Sequence, residues 1–350
     1  MMQGEKIRTG LIGYGLSGSV FHAPLIRAVP DLELLKVVTG RRRQVTEELP
    51  DVLPVEKAEE LFDDPGIDLV VVTTPNRLHY VQAKKALEAG KHVVVEKPFT
   101  LRVDEAWELT RLAEAKGLFL SVFHNRRWDS GFLTLRRYIG EGRLGEVHTY
   151  RARFDRFRPE VRNRWKERDP EGGGTLYDLG SHLIDQALLL FGEPRTVWAD
   201  VRNQRVGSTT PDWFHLVLQY ENGRRVILDS GSMVLEPGPT WEVHGTRGSY
   251  IQTGMDSQEE SLKRGLRPGD PGWGEEPAEH HAFLTESGEE GLRKERVRSL
   301  KGRYETFYRG VRDAIREGRP APVTPVEATR VIRVIERAIQ SSRTGQVLPY

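Results

Sequence analysis

Lys97, Asp178 and His182 are the side chains of this 350-residue chain best suited to moving a proton on or off a hydroxyl group. Histidine changes charge near neutral pH without help, a lysine beside a reacting oxygen can stabilise developing alkoxide charge, and a carboxylate can orient either. Asp178, His182 and Asp185 stand at i, i+4 and i+7 within Gly174–Phe191, a stretch apolar on nearly every side and so expected to form a buried helix. Ionisable groups on a buried helix are costly unless paired or working. An aspartate and a histidine on one such face therefore point to catalysis more than to a satisfied core histidine. Lys97, in Glu96-Lys97-Pro98, would by itself be a surface lysine after a strand, and it gains meaning from that second group.

Upstream, Gly13-Tyr14-Gly15-Leu16-Ser17-Gly18 follows the apolar run Ile7–Ile12 at once. A G-x-G-x-x-G between a strand and a helix gives a tight turn, a close backbone approach and a helix N-terminus at which a pyrophosphate can sit. Without that strand it would be an ordinary glycine turn. An NAD site would carry an acidic residue at the end of the second strand, to hold the ribose 2′-hydroxyl. This chain has Thr39-Gly40-Arg41-Arg42-Arg43 there, and a guanidinium matches the 2′-phosphate of NADP. NADP is the expected cofactor, with NAD the alternative and an exposed basic turn the bland reading. Thr73, Thr74, Pro75 and Asn76 end one strand and Glu96 and Lys97 end the next, so both segments should face the dinucleotide crevice. With Gly13, Gly15, Leu16, Ser17, Gly18, Thr39, Arg41, Arg42 and His79 they make up the cofactor-binding candidates. Asn125, Arg164, Trp165, Asp178 and His182 are the substrate-binding candidates, although loop anchoring explains Arg164 and Trp165 equally well.

The elements that must position these groups change character near residue 125. Before it, strands at Ile7–Gly13, Leu34–Thr39, Asp68–Thr74, His92–Glu96 and Phe119–His124 alternate with helices at Pro24–Val29, Lys57–Phe62, His79–Ala89 and Val103–Lys116. Strict strand-helix alternation predicts a doubly wound parallel sheet of the Rossmann kind. After it come a helix at Phe132–Glu141, a strand at Glu146–Phe154 and the buried Gly174–Phe191 helix. Successive strands follow at Thr196–Arg202, Trp213–Tyr220, Arg225–Val234, Thr240–Gly245 and Ser249–Gln252, as expected of a large, mostly antiparallel open sheet. The fold class is α/β, with a dinucleotide-binding domain at 1–124 and an α+β domain for substrate binding and oligomerisation at 125–350. Thr253 to about Lys301 is polar and reads as a long loop or insertion. Helices at Tyr304–Glu317 and Pro325–Ser342 close the chain and could pack back on the first domain.

Composition removes other classes of function. With no cysteine there is neither a disulfide, a thiol nucleophile nor a Cys-ligated zinc, which fits a reducing cytoplasm. A net charge of +1 gives no general attraction to nucleic acid or to an anionic membrane. The opening MMQGEK leaves no room for a signal peptide before the first strand, and no apolar run approaches a membrane span. Arg151, Arg153, Arg156 and Arg158 alternate along one segment and are read as a solvated strand face. No metal is required.

Taken in order, the glycine motif, Glu96-Lys97-Pro98, and Gly172-Gly173-Gly174 with Asp178-x-Gly180-x-His182-x-x-Asp185 resemble the Gfo/Idh/MocA oxidoreductase family over essentially the whole chain. Phe21-His22-Ala23-Pro24-Leu25, Asn125-Arg126-Arg127-Trp128-Asp129 and Leu266–Gly274 are similar to its NADP-dependent scyllo-inositol dehydrogenase branch. The resemblance implies that Lys97 and His182 form the catalytic pair, that Asp178 contacts substrate, that the Lys97-Pro98 peptide is cis, and that the outer sheet face builds a homodimer or homotetramer. It also implies hydride transfer between NAD(P) and a sugar or cyclitol, with neutral His182 taking the hydroxyl proton. The alternatives on the same fold are an NAD-dependent glycosidase, disfavoured by the missing acid after the second strand, and a non-catalytic sensor, disfavoured by the retained Lys97 and His182.

Overall fold

The structure, a computed structural model, describes residues 6–350 and divides into two compact units. The opening residues 1–5, read above as leading straight into the first strand, lie outside the described residues.

One unit comprises the residues through Asn125 together with Gln258–Trp273 and Arg303–Thr329. Its sheet has six strands, β1 (Ile7–Ile12), β2 (Leu32–Val38), β3 (Leu53–Val55), β4 (Leu69–Val72), β5 (His92–Val95) and β6 (Leu120–Val122). They are ordered β3-β2-β1-β4-β5-β6 and all parallel. β4 and the valines of β5 are wholly buried, as a parallel sheet covered on both faces requires, and this is why they read as unbroken valine runs. The order reverses between β1 and β4, and the glycine motif lies at the carboxyl end of β1 beside that switch point. Two elements escaped the sequence reading. β3 is short and carries Pro54, tolerated because β3 is an edge strand. The helix Arg42–Glu48 is polar enough to pass for a turn, with only Val45 buried. The first helix also differs from expectation: it opens as a π-helical segment, Ser17–His22, before the α-helix Ala23–Arg27.

The other unit comprises Arg126–Ser257, Gly274–Gly302 and Arg330–Tyr350. Its sheet contains β7 (Val147–Arg153), β8 (Thr196–Arg202), β9 (Trp213–Gln219), β10 (Arg225–Gly231), β11 (Trp241–Gly245), β12 (Gly248–Gln252), β13 (Ala282–Gly288), β14 (Gly291–Val297) and β15 (Leu348–Pro349). The order is β14-β13-β12-β11-β7-β10-β9-β8-β15, antiparallel except for the β7–β10 pair. Burial alternates along β9 and β10, so one face is core and the other open. Helix Ser181–Phe191 and the π-helical turn Leu176–Gly180 pack against β10. The expected single helix over 174–191 is therefore two segments, a π-helical turn that carries Asp178 and an α-helix that carries His182 and Asp185.

The expectation of a loop over 253–301 is corrected. That segment contains the helix Gln258–Lys263 and the hairpin β13–β14. β14 hid from the pattern because Arg293, Lys294 and Glu295 crowd an edge strand, where charge guards against pairing with other chains.

Candidate functional site

Gly13 sits at φ 102°, and a Cβ on Gly18 would strike the Gly13 carbonyl, so the turn closes on itself as the phosphate-binding geometry needs. A Cβ on Gly15 would meet nothing within 4 Å, which leaves open the side a ligand would approach. Thr73 pins the turn, its Oγ1 donating at 2.9 Å to the carbonyls of Ile12 and Gly13. Thr74 Oγ1 is buried with no hydrogen-bond partner among the described residues. An orphaned hydroxyl at a strand end beside a glycine cradle fits a dinucleotide. At the end of β2 the N–H of Arg41 donates to Thr39 Oγ1 at 2.9 Å and Arg41 Nη1 lies 3.4 Å from the Tyr14 carbonyl. This sets the Arg41 guanidinium back over the glycine motif. Arg42 turns the other way, to Glu56 at 2.9 Å.

Glu96 is the centre of a buried network. Its carboxylate accepts from Ser17 Oγ, from the backbone N–H of Lys97 at 2.6 Å, and lies 3.3 Å from His22 Nε2. His22 is fully buried, and its Nδ1 is 2.5 Å from the Tyr308 hydroxyl. Burial alone would raise the Glu96 pKa, but the His22 hydrogen bond and charge, the Lys97 charge and the Ser17 hydroxyl outweigh it and bring it down to about 2. One ionised carboxylate thus ties the glycine turn to the Lys97 backbone. The Lys97-Pro98 peptide is cis. His79 is buried, with its ring nitrogens 2.8 Å from the Pro98 carbonyl and 3.0 Å from that of Thr74. Burial lowers its pKa against the pull of these two carbonyl contacts, and the neutral ring has one N–H to donate to one of the two carbonyls. Asn76 and Asn125 are also buried.

In the second unit the glycine run lets backbone approach backbone. Gly174 has φ 89°, and a Cβ there would lie 2.5 Å from the Pro211 carbonyl. The turn delivers Asp178 to a cavity lined by Arg156, Arg158, Arg164, Lys166 and Glu167. Lys166 Nζ donates to Asp178 at 2.7 Å, with Arg156 Nη2 3.9 Å from the other oxygen. Arg164 Nε donates to Glu167 at 2.7 Å. Trp165 lies under the Lys166 ammonium, 5.7 Å from ring centroid to nitrogen. His182 is buried one helical turn on.

Asp185 does not share that cavity. Arg127 holds it with two bonds, Nε at 2.8 Å and Nη2 at 2.7 Å, both side chains buried, which makes it a structural pair. The ionisable stripe of the sequence reading thus splits, with Asp178 in the cavity and Asp185 in the core.

The solvated-face reading of the arginine series also needs correction. Arg151 and Arg153 pair with Asp229 and Glu242 across the sheet, but Arg156 and Arg158 line the cavity. Lys166, His22 and Tyr308 were missed as well. His22 lay in plain view in Phe21-His22-Ala23-Pro24, whereas Tyr308, 286 residues away, gave no local signal. Among the described residues no helix is long and apolar enough to cross a membrane.

Comparison with known proteins agrees with this architecture. The oxidoreductase-family model for an NAD-binding Rossmann fold matches residues 7–124, and that family's C-terminal alpha/beta domain matches 136–350. The chain is 45% identical over 344 residues to scyllo-inositol 2-dehydrogenase (NADP(+)) IolW of Bacillus subtilis, covering 98% of this chain and 96% of that one. It is 44% identical to the uncharacterized oxidoreductase YdgJ of Escherichia coli, covering 97% of each. The solved structure of yvaA from Bacillus subtilis superposes with a TM-score of 0.97 at 44% identity, covering 100% of both chains. With the glycine cradle, the Glu96-Lys97-Pro98 strand end and both domain matches in register, this chain belongs to the Gfo/Idh/MocA oxidoreductase family.

Proposed function

We propose that this NAD(P)-dependent oxidoreductase uses NADP to interconvert a CH–OH group and a carbonyl on a sugar or cyclitol. The observation that carries the reading is the Glu96 bridge. One buried carboxylate holds both Ser17 of the glycine turn and the N–H of Lys97, so the residues for dinucleotide and for substrate oxygen share one anchor. At the turn made by Gly13, the amides of Gly15, Leu16, Ser17 and Gly18 would hold the pyrophosphate; Thr39 and Arg41 would hold the 2′-phosphate, with Arg42 reaching it only by leaving Glu56, and Thr73, Thr74, Pro75 and Asn76 the nicotinamide half. When bound, the dinucleotide accepts or returns the hydride. Lys97 donates a hydrogen bond to the reacting oxygen, His182 takes its proton, and Asp178 orients the polar groups around it. Asn125, Arg164 and Trp165 contribute to the polyol site. The cyclitol and the choice of NADP draw further support from the name of the Bacillus subtilis relative.

Residues 1–124, joined by Gln258–Trp273 and Arg303–Thr329, would then be the dinucleotide-binding unit, and the rest of 125–350 the substrate and assembly unit of a cytoplasmic homodimer or homotetramer. Trp198, Val217 and Ile227 are cross-strand neighbours on the open face of β8, β9 and β10 and stay half-buried there, an apolar row suited to a second copy of the chain. Purified protein with NADP or NAD and a panel of inositols and hexoses, followed by absorbance of the reduced nucleotide, tests the activity. Reduction of NADP is expected with a polyol; no turnover of any polyol, or of its ketone with NADPH, would overturn it.

A further inference from the structure

The cavity around Asp178 is richer in positive charge than a neutral polyol calls for. Arg156, Arg158, Arg164, Lys166 and Arg205 line it, against the carboxylates of Glu167 and Asp178. Asp212 holds Arg205 from behind at 2.9 Å, so three carboxylates face five cations. The backbone explains the crowding. Arg156 and Arg158 donate their N–H groups to the Gly231 and Ser232 carbonyls at 3.0 and 2.7 Å, and residues two apart on an extended strand point to one side. Arg205 locks the same loop through the carbonyls of Arg158 and Glu160.

The surplus is localised. Glu167 is shared by Arg164 and Arg205, and Asp178 by Lys166 and, more distantly, Arg156. The Arg158 guanidinium has no hydrogen-bond or ion-pair partner among the described residues. Burial, with Arg162 and Arg164 near by, holds its pKa below the usual arginine value. Two further polar atoms of the lining, Arg156 Nε and Thr210 Oγ1, are buried without a hydrogen-bond partner, and Thr210 is only 1% exposed. Guanidinium groups gathered in a partly dry cavity repel one another unless an anion joins them.

We infer that the substrate of this site carries a carboxylate, which Arg158 and Arg156 receive, so that the polyol is a sugar acid. The inference rests on the hydride-transfer reading above and narrows its substrate. The cavity offers about 20 Å³ to a water-sized group, room for about one. A flat carboxylate edge fits such a space, and the fork of an arginine matches it with two parallel bonds. A sugar ring does not fit there and would lie in the mouth.

The test compares D-glucuronate and D-galacturonate with D-glucose, D-galactose and scyllo-inositol, and with D-glucose 6-phosphate, using the full chain and NADP. Steady-state rates are read alongside equilibrium binding of each compound to the NADP-loaded protein. The expected result is kcat/KM and affinity at least about tenfold higher for a hexuronate than for its neutral parent. In Arg158→Gln that preference should fall by a similar factor, while Arg158→Lys keeps part of it. Equal or better handling of the neutral compounds overturns the inference and leaves hydride transfer standing. A preference for the phosphate overturns the carboxylate, as does an Arg158→Gln variant that loses NADP affinity as much as acid affinity. If no compound turns over, the reading above fails, and the binding arm still decides whether the cavity takes a carboxylate.

Discussion

Glu96 is the residue on which most depends, because its carboxylate is ionised, buried and shared by three partners. With its pKa lowered from 4.5 to about 2, it stabilises the fold fully above about pH 4.5, and that contribution is lost as pH falls through about 2. Chemical denaturation of wild type and Glu96→Gln should therefore differ most near neutrality and converge as pH drops through that window. A constant gap would mean that the carboxylate is not ionised in the fold. Two neighbouring predictions concern chemistry. Arg41→Ala should weaken NADP at least about tenfold and NAD far less, measured by titration, because a charged hydrogen bond to the 2′-phosphate is lost. His182→Ala should lower kcat by ~10²–10⁴ while leaving NADP affinity nearly unchanged, since the dinucleotide candidates lie in the other unit. Retained turnover would hand proton transfer to another group.

At the scale of elements, the π turn Leu176–Gly180 and the glycine run before it decide which side chains reach the cavity. Gly174→Ala would place a Cβ 2.5 Å from the Pro211 carbonyl at a backbone angle only glycine adopts easily. A cost of roughly 1–3 kcal/mol follows, together with a raised KM, because Asp178 is delivered by that turn. Thermal melting and substrate titration on the same variant would separate the two effects. The Arg127–Asp185 pair does a different job on the adjoining helix. Arg127→Ala leaves a buried aspartate without its two bonds, a loss of about 3–5 kcal/mol that unfolding in denaturant should reveal. A loss below about 1 kcal/mol would mean that water replaces the guanidinium.

For the molecule as a whole, the nine-stranded sheet buries one face and leaves the other to the exterior of the chain. The row Trp198, Val217 and Ile227 sets three apolar side chains next to one another on that open face. Val217→Arg should convert an oligomer to a smaller species in light scattering, with helix and strand content by circular dichroism unchanged. A monomeric wild type would remove the assembly proposal.

What the sequence determined by itself was local. Runs of valine dictate buried parallel strands, a glycine motif after such a strand dictates a phosphate turn, and Glu96-Lys97-Pro98 with Asp178-x-x-x-His182 names the groups suited to proton transfer. These signals lie within a few residues of one another, where period and steric rules act. What only the tertiary structure decided was pairing over distance. Asp185 looked like Asp178 in the helical pattern, yet one meets Arg127 in the core and the other Lys166 in a cavity. Arg151 and Arg158 looked alike in the arginine series, yet only Arg151 finds a carboxylate across the sheet. His22 joins Glu96 to Tyr308 from near the opposite end of the chain. The energy of a buried charge is set by what surrounds it in space, and no spacing along the chain encodes that.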